Sequence, residues 1–356
     1  MAYTTIDDPS KFFQTALYTG TGSTRNVTND GNSDLQPDWV WIKSRNTTSN
    51  HNLFDSTRGV TKRLRSNDTD NEDTLDAFSH FLSDGFTITG SPLNDGSATW
   101  VAWQWKANGG TTTTNDSSST GVGNQDSVHQ ANTTSGFSIV TYTGDSSVGT
   151  MAHGLGAVPH VMIVKCRSDD GERWETYHHE NTAAPETDHL ELSATDATVD
   201  SAHTWDDTAP TSTIFTVGNS GATNEDSKTY VAYLFTEIQG YSKFGSYTGN
   251  ANASGPFIYT GFKPAWLLLK RTDSAGNWVL IDNKRDDFNL AGLDLNSDSN
   301  AVENSSTTYY GVDLLSNGFK LRNANGETNG SSTTHVYMAF AESPFVSSEG
   351  VPTTAR

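Results

Sequence analysis

The stretch Pro37-Asp38-Trp39-Val40-Trp41-Ile42-Lys43 is written three times along the chain. It returns as Pro159-His160-Val161-Met162-Ile163-Val164-Lys165 and as Pro264-Ala265-Trp266-Leu267-Leu268-Leu269-Lys270. Each copy opens an apolar run after a proline and closes it on a lysine. Short runs rich in Trp, Val and Ile, bounded by proline and polar residues, read as buried strands. Polar residues do not alternate with the apolar ones, so both faces of each strand are expected to be covered.

Other landmarks recur in the same order around these runs. Tyr-Thr-Gly stands at Tyr18, Tyr142 and Tyr247. An aromatic-rich strand pattern follows at Trp100–Trp105, Tyr230–Phe235 and His335–Phe340. The second and third copies keep one offset, 105 residues, from 142 to 247, 165 to 270 and 235 to 340. A constant offset at separate landmarks is the mark of an internal repeat. The expected architecture is all-β, with three tandem homologous β-sandwich units of roughly 100 residues each.

The boundaries follow from these landmarks. Residues 1–12 read as an amino-terminal arm and 13–106 as unit one. The Ser/Thr/Gly-rich stretch 107–135 reads as a flexible linker, or as an arm lying on a neighbouring subunit. Units two and three span 136–240 and 241–345, and the polar tail 346–356 is expected to fray. One helical turn per unit is expected, over Leu75, Phe78, Phe81 and Leu82 with Gly85 as its stop, and over Leu314–Gly318.

Of the 356 residues only 33% are hydrophobic, yet 9 Trp, 12 Tyr and 16 Phe can fill cores. The formal charge of −20 repels phosphate backbones, so nucleic acid is not an expected partner. The single cysteine, Cys166, lies inside a repeated run and is expected to be a buried apolar group. With one cysteine there is no internal disulfide framework. The start Met1-Ala2-Tyr3-Thr4 does not read as a signal peptide, no apolar run reaches membrane-spanning length, and folding in the cytoplasm is expected.

Chemistry-bearing patterns are sparse. Asp55 with Arg58, and Asp282 with Arg285, share one spacing and read as structural ion pairs. Asp68, Asp70, Glu72 and Asp73 could hold calcium but lack the EF-hand glycine and closing glutamate. His178, His179, His189 and His203 cluster in sequence without zinc-site spacing. No catalytic residue, cofactor or metal is expected. Most tryptophans fall on strand landmarks; Trp174, Trp205 and Trp278 lie nearer loops and are the candidates for exposure, where they could contact a glycan or a partner.

Longer phrases carry a resemblance. Gly136-Phe137-Ser138-Ile139-Val140-Thr141-Tyr142-Thr143-Gly144, Gly240-Tyr241-Ser242-Lys243-Phe244-Gly245-Ser246-Tyr247-Thr248-Gly249-Asn250 and Met338-Ala339-Phe340-Ala341-Glu342 are similar to repeats in virion structural proteins of marine bacteriophages and cyanophages. The resemblance spans about residues 13–345 and implies jelly-roll or concanavalin-like sandwiches in a virion. It also implies a non-enzymatic exterior component, tail fibre or tail-associated, contacting other virion proteins and forming homo-oligomers. Capsid decoration is the near alternative. A lectin-like module reading a host-surface glycan is the alternative from another class, and a polysaccharide-degrading enzyme a third. None of these readings calls for membrane insertion.

Overall fold

The computed structural model describes residues 2–304, 306 and 309–354. The fold is all-β: among the described residues every strand pairing is antiparallel, and the four α-helices have four residues each. No described helix is long and apolar enough to cross a membrane.

The three repeated runs become the strands Trp39–Ser44, Val161–Cys166 and Phe262–Arg271. Each sits inside a sheet, between an aromatic strand and the strand that follows in sequence. The first sheet runs Phe13–Thr19, Thr99–Trp105, Trp39–Ser44, Asn52–Asp55. The second contains Phe137–Thr143, Thr229–Phe235, Val161–Cys166, Glu175–His178 and Asp188–Glu191 in that spatial order. The third runs Ser242–Thr248, Thr334–Pro344, Phe262–Arg271, Trp278–Asp282, Leu295–Asn296. Register agrees between the sheets: Trp41 faces Trp103, Ile163 faces Tyr233 and Leu268 faces Met338.

Both faces of each sheet are buried, which is why the runs do not alternate. On the outer faces, Val40 and Ile42 pack with Phe78 and Phe86, Met162 and Val164 with Phe215 and Val217, and Leu267 and Leu269 with Phe319 and Leu321. The inner faces of these three sheets, the largest of the seven among the described residues, share one core. Trp39 stacks on Tyr233 at 4.4 Å, Trp105 meets Trp266 edge-on at 5.4 Å, and Phe235 meets Phe340 at 5.8 Å. Each of these ring pairs joins two different sheets. Truncating one such ring to alanine costs about 3–5 kcal/mol in a packed core.

Several expectations are corrected. Residues 107–135 are not a free linker. The strand Ser127–Asn132 pairs along Phe137–Thr143 and widens the second sheet, with Thr113–Asn115 beyond it. Asp38 accepts from the backbone N–H groups of Ala107, Gly109 and Gly110, each at 2.8 Å. Ser- and Thr-rich composition is compatible with order wherever strand pairing satisfies the backbone.

The expected helical turn at 75–85 is a hairpin, Phe78–Phe81 returning as Phe86–Ile88, with Gly85 at φ 92° near its turn. Its counterpart is the hairpin Val312–Leu315 to Gly318–Leu321. Three or four apolar residues at mixed spacing fit either element, and sheet pairing decides. The amino-terminal arm is docked: Ile6 is buried, Thr4 Oγ1 donates to Gln239 O at 2.8 Å and Tyr3 OH to Gly261 O at 2.8 Å. The tail is pinned as far as Thr353, with Thr353 N donating to Phe345 O at 2.9 Å and Ser348 N to Asp7 at 2.6 Å.

Candidate functional site

The charged and polar residues singled out by sequence converge on the seams between the three sheets. At the first seam, Asp55 ends its strand, and its Oδ1 accepts from Arg58 N at 2.8 Å, closing a tight turn. The Arg58 guanidinium pairs with Asp55 and bonds Glu72 at 2.9 Å, both side chains of the Asp55–Arg58 pair being fully buried. Glu72 is also held by Arg167 of the second sheet at 2.9 Å, and these two arginines lower its carboxyl pKa against the opposing effect of burial. Tyr233 of the second sheet donates to Asp55 Oδ2 at 2.7 Å. An Arg–Glu–Arg bridge and a phenol therefore stitch sheet one to sheet two.

The seam between sheets three and one repeats this chemistry. Asp282 accepts from Arg285 Nε at 2.6 Å and from Trp103 Nε1 of the first sheet at 3.0 Å. Arg285 reaches Glu303 at 3.2 Å, and Arg45 of the first sheet holds Glu303 at 2.8 Å. At the third seam the matching positions are uncharged. His178 stands in the register position of Asp55 and Asp282, and its Nε2 lies 3.1 Å from Tyr337 O of the third sheet. Asn181, three residues on like the two arginines, accepts from Thr198 Oγ1 at 2.7 Å, and Thr198 N donates to Thr272 O at 2.9 Å.

A second ring of contacts runs the same way round. Trp174 Nε1 donates to Arg65 O of the first sheet's region at 2.8 Å, and Trp278 Nε1 to Glu191 O of the second at 2.8 Å. His51 Nε2 lies 3.0 Å from Asn296 O of the third. Lys43, Lys165 and Lys270, which close the repeated runs, are all buried with Nζ on backbone carbonyls. Burial pushes Lys43 and Lys270 down to about 8.

The expectation that Trp174, Trp205 and Trp278 are exposed is thereby overturned. All three are buried, and Trp205 Nε1 donates to Asp188 O at 3.1 Å. Neighbouring sheets cover Trp174 and Trp278, whereas Trp205 is buried in the outer core of the second sheet itself, with Phe215 and Val217. All nine tryptophans are at most 2% exposed, so none offers a sugar-stacking face. The exposed aromatics are Phe257, Tyr259, Phe288 and Tyr309, with Phe288 79% exposed. Sequence reasoning passed over them because single Phe and Tyr residues in polar stretches carry no periodic signal.

The acidic loop does not form an open oxygen cage: Asp70 and Asp73 pair with Arg65, Glu72 with Arg58 and Arg167, and Asp68 accepts from Asn50 at 3.3 Å. The four histidines do not converge. His178 and His179 point to the third sheet, and His203 is exposed. His179 lies 3.8 Å from Glu237 and 4.0 Å from Glu180, and His189 stands beside Glu175 and Glu191. Cys166 is buried.

These features define an all-β, sandwich-like protein whose sheets are joined through one core and a set of buried polar seams. The chain belongs to a family described as a domain of unknown function (DUF7483), whose model matches residues 8–344. No curated protein matches the chain.

Proposed function

We propose that the chain consists of three homologous sandwich units arranged around a pseudo-threefold axis, and that it serves as a non-enzymatic structural component of a phage virion exterior. Support for the repeat comes from the matched register of the three sheets and the cyclic order of their seams. A head-to-tail contact repeated three times closes into a ring and leaves no unmatched end. The observation that carries the structural role is this closure: each of the three joints is crossed by hydrogen bonds from buried side chains, which favours a rigid particle part over a hinged one. The family match over one continuous span, 8–344, fits three units selected as a single body.

Tail or tail-associated placement follows from the resemblance of the repeated phrases. Capsid decoration is the second reading, favoured by helices of four residues, which provide no coiled-coil shaft within the described residues. The glycan-reading alternative loses its tryptophan platform and retains only exposed Tyr and Phe.

The test is immunogold labelling of purified particles of the phage encoding the chain, with light scattering on the purified protein. Gold on the tail supports the first placement and gold on the head the second. Particles free of the protein by both labelling and mass spectrometry overturn the virion assignment. Light scattering decides between a homo-oligomer and a monomer that assembles only on particles.

A further inference from the structure

Glu175 and Glu191 face each other as register partners of adjacent antiparallel strands. Cross-strand partners share a sheet face, and like charges directly opposite are destabilising. His189, two residues before Glu191, lies on the same face. Its Nε2 is 3.1 Å from Glu175 Oε2 and 4.0 Å from Glu191 Oε1, and one ligand atom from each residue lies within 4.8 Å of the others. Glu175 is only 5% exposed, and its Oε2, aimed into the cluster, has no hydrogen-bond partner. The 3.1 Å approach to His189 is therefore close without being a well-formed hydrogen bond.

The surroundings are those of a held ligand set. Thr204 Oγ1, from the short helix Ala202–Trp205, lies 3.2 Å from His189 Nδ1 and fixes the ring with Nε2 toward the carboxylates. An outer hydrogen bond of this kind orients metal-binding imidazoles. Arg173 pairs with the outer oxygen of Glu191 and reaches Asp196 at 2.7 Å, so it neutralises that carboxylate from outside. The fold does not demand these residues. Asn52 and Val279 occupy the register position of Glu175, and Asn296 that of Glu191 in the third sheet.

We infer that Glu175, His189 and Glu191 form a binding site for one divalent cation of the zinc class, which bridges the Glu175–His178 and Asp188–Glu191 strands. One imidazole nitrogen with two carboxylates suits a borderline cation, whereas calcium requires six or more oxygens. Ligand atoms around a tetrahedral ion lie roughly 3.3–3.6 Å apart, for bonds of about 2.0–2.2 Å, and small side-chain adjustments reach that spacing. The bound cation would relieve the opposed carboxylates beside the seam where Trp278 Nε1 bonds Glu191 O.

The experiment is isothermal titration of ZnCl2 into the EDTA-treated, dialysed full chain at pH 7.5, with MnCl2 and CaCl2 in parallel and thermal melts of each mixture. The expected result is one equivalent of zinc bound at micromolar Kd or tighter, a higher Tm, and weaker binding of calcium. Glu175→Gln and His189→Ala should each weaken binding at least tenfold, while His203→Ala, at an exposed histidine, should not. Should a variant fail to fold, cobalt substitution of the wild-type chain gives the second readout: a saturable visible d–d band at one equivalent, displaced by zinc. Absence of one-equivalent binding to the wild type, or equal affinity in the folded Glu175→Gln and His189→Ala variants, means an adventitious ion only and overturns the site.

Discussion

The seam between sheets one and two and the seam between sheets two and three join like surfaces by opposite means. The first buries Asp55, Arg58 and Glu72, with Arg167 closing the bridge. The second uses His178, Asn181, Thr198 and Thr272, all uncharged at neutral pH, and leaves Asn181 Nδ2 without a partner. One backbone geometry therefore accepts either solution. Charges in a seam add little net stability once desolvation is counted, but they make it intolerant of losing one partner. A neutral seam is expected to be more forgiving and also to depend on the histidine keeping a single tautomer.

The largest expected effect breaks the charged seam. Arg58→Met leaves the fully buried Asp55 without its cation, while Glu72 keeps Arg167, and is expected to cost about 3–5 kcal/mol, read from urea unfolding. Asn181→Ala at the matching position of the neutral seam should cost about 1 kcal/mol or less. Equal costs would show that charge is not what separates the seams.

Next comes the phenol. Tyr233→Phe removes the donor to Asp55 Oδ2 and should cost about 1.5–3 kcal/mol, as for hydrogen bonds to charged groups. Arg58 and the backbone remain to satisfy the carboxylate, so the loss should fall below that of Arg58→Met.

Acid should act on the neutral seam. His178 accepts at Nδ1 from Glu180 N at 3.2 Å while Nε2 faces Tyr337 O, and burial pushes its pKa down to about 3. His153 is held alike, between Leu155 N and Thr211 O, and lies at about 4. A depressed histidine pKa means that stability is present above the unfolded value near 6.5 and is lost as pH falls toward the folded value. His178→Gln should therefore lose less stability than the wild type between pH 6.5 and 5, by about 2 kcal/mol. Comparing the variant with the wild type matters, because burial raises Asp294 to about 7 and Asp298 to about 6, and their contribution runs the other way. Parallel melting curves against pH would remove His178 from the account.

The smallest effect lies at the rim. Arg167 is 19% exposed, so Arg167→Gln should cost about 0.2–1 kcal/mol at low salt, and less in 1 M NaCl, where the Debye length is about 3 Å. Thr272→Val, at the matching place in the neutral seam, should show no such salt dependence.

Much of this was legible in the chain itself. Trp39–Ile42, Val161–Val164 and Trp266–Leu269 announce buried strands because a side chain covered on both faces needs no polar alternation. The shared spacing of Asp55–Arg58 and Asp282–Arg285 likewise marks a turn closed by an ion pair, since the contact is local. Sequence did not reveal which sheet covers which loop. Trp174 and Trp278 look exposed until Arg65 O and Glu191 O arrive from neighbouring sheets. The 107–135 stretch looks mobile until Asp38 and the Phe137–Thr143 strand bind it. Glu175, His189 and Glu191 have no motif spacing, because a strand pairing across a long loop brings them together. Local patterns thus determined the strands and their turns, whose causes lie within a few residues. The seams and the burial of Trp174 and Trp278 were decided by tertiary structure, because their partners are separated by tens to hundreds of residues and only closure of the three sheets sets them at hydrogen-bonding distance; the mixed cluster was decided by the pairing of two strands within the second sheet.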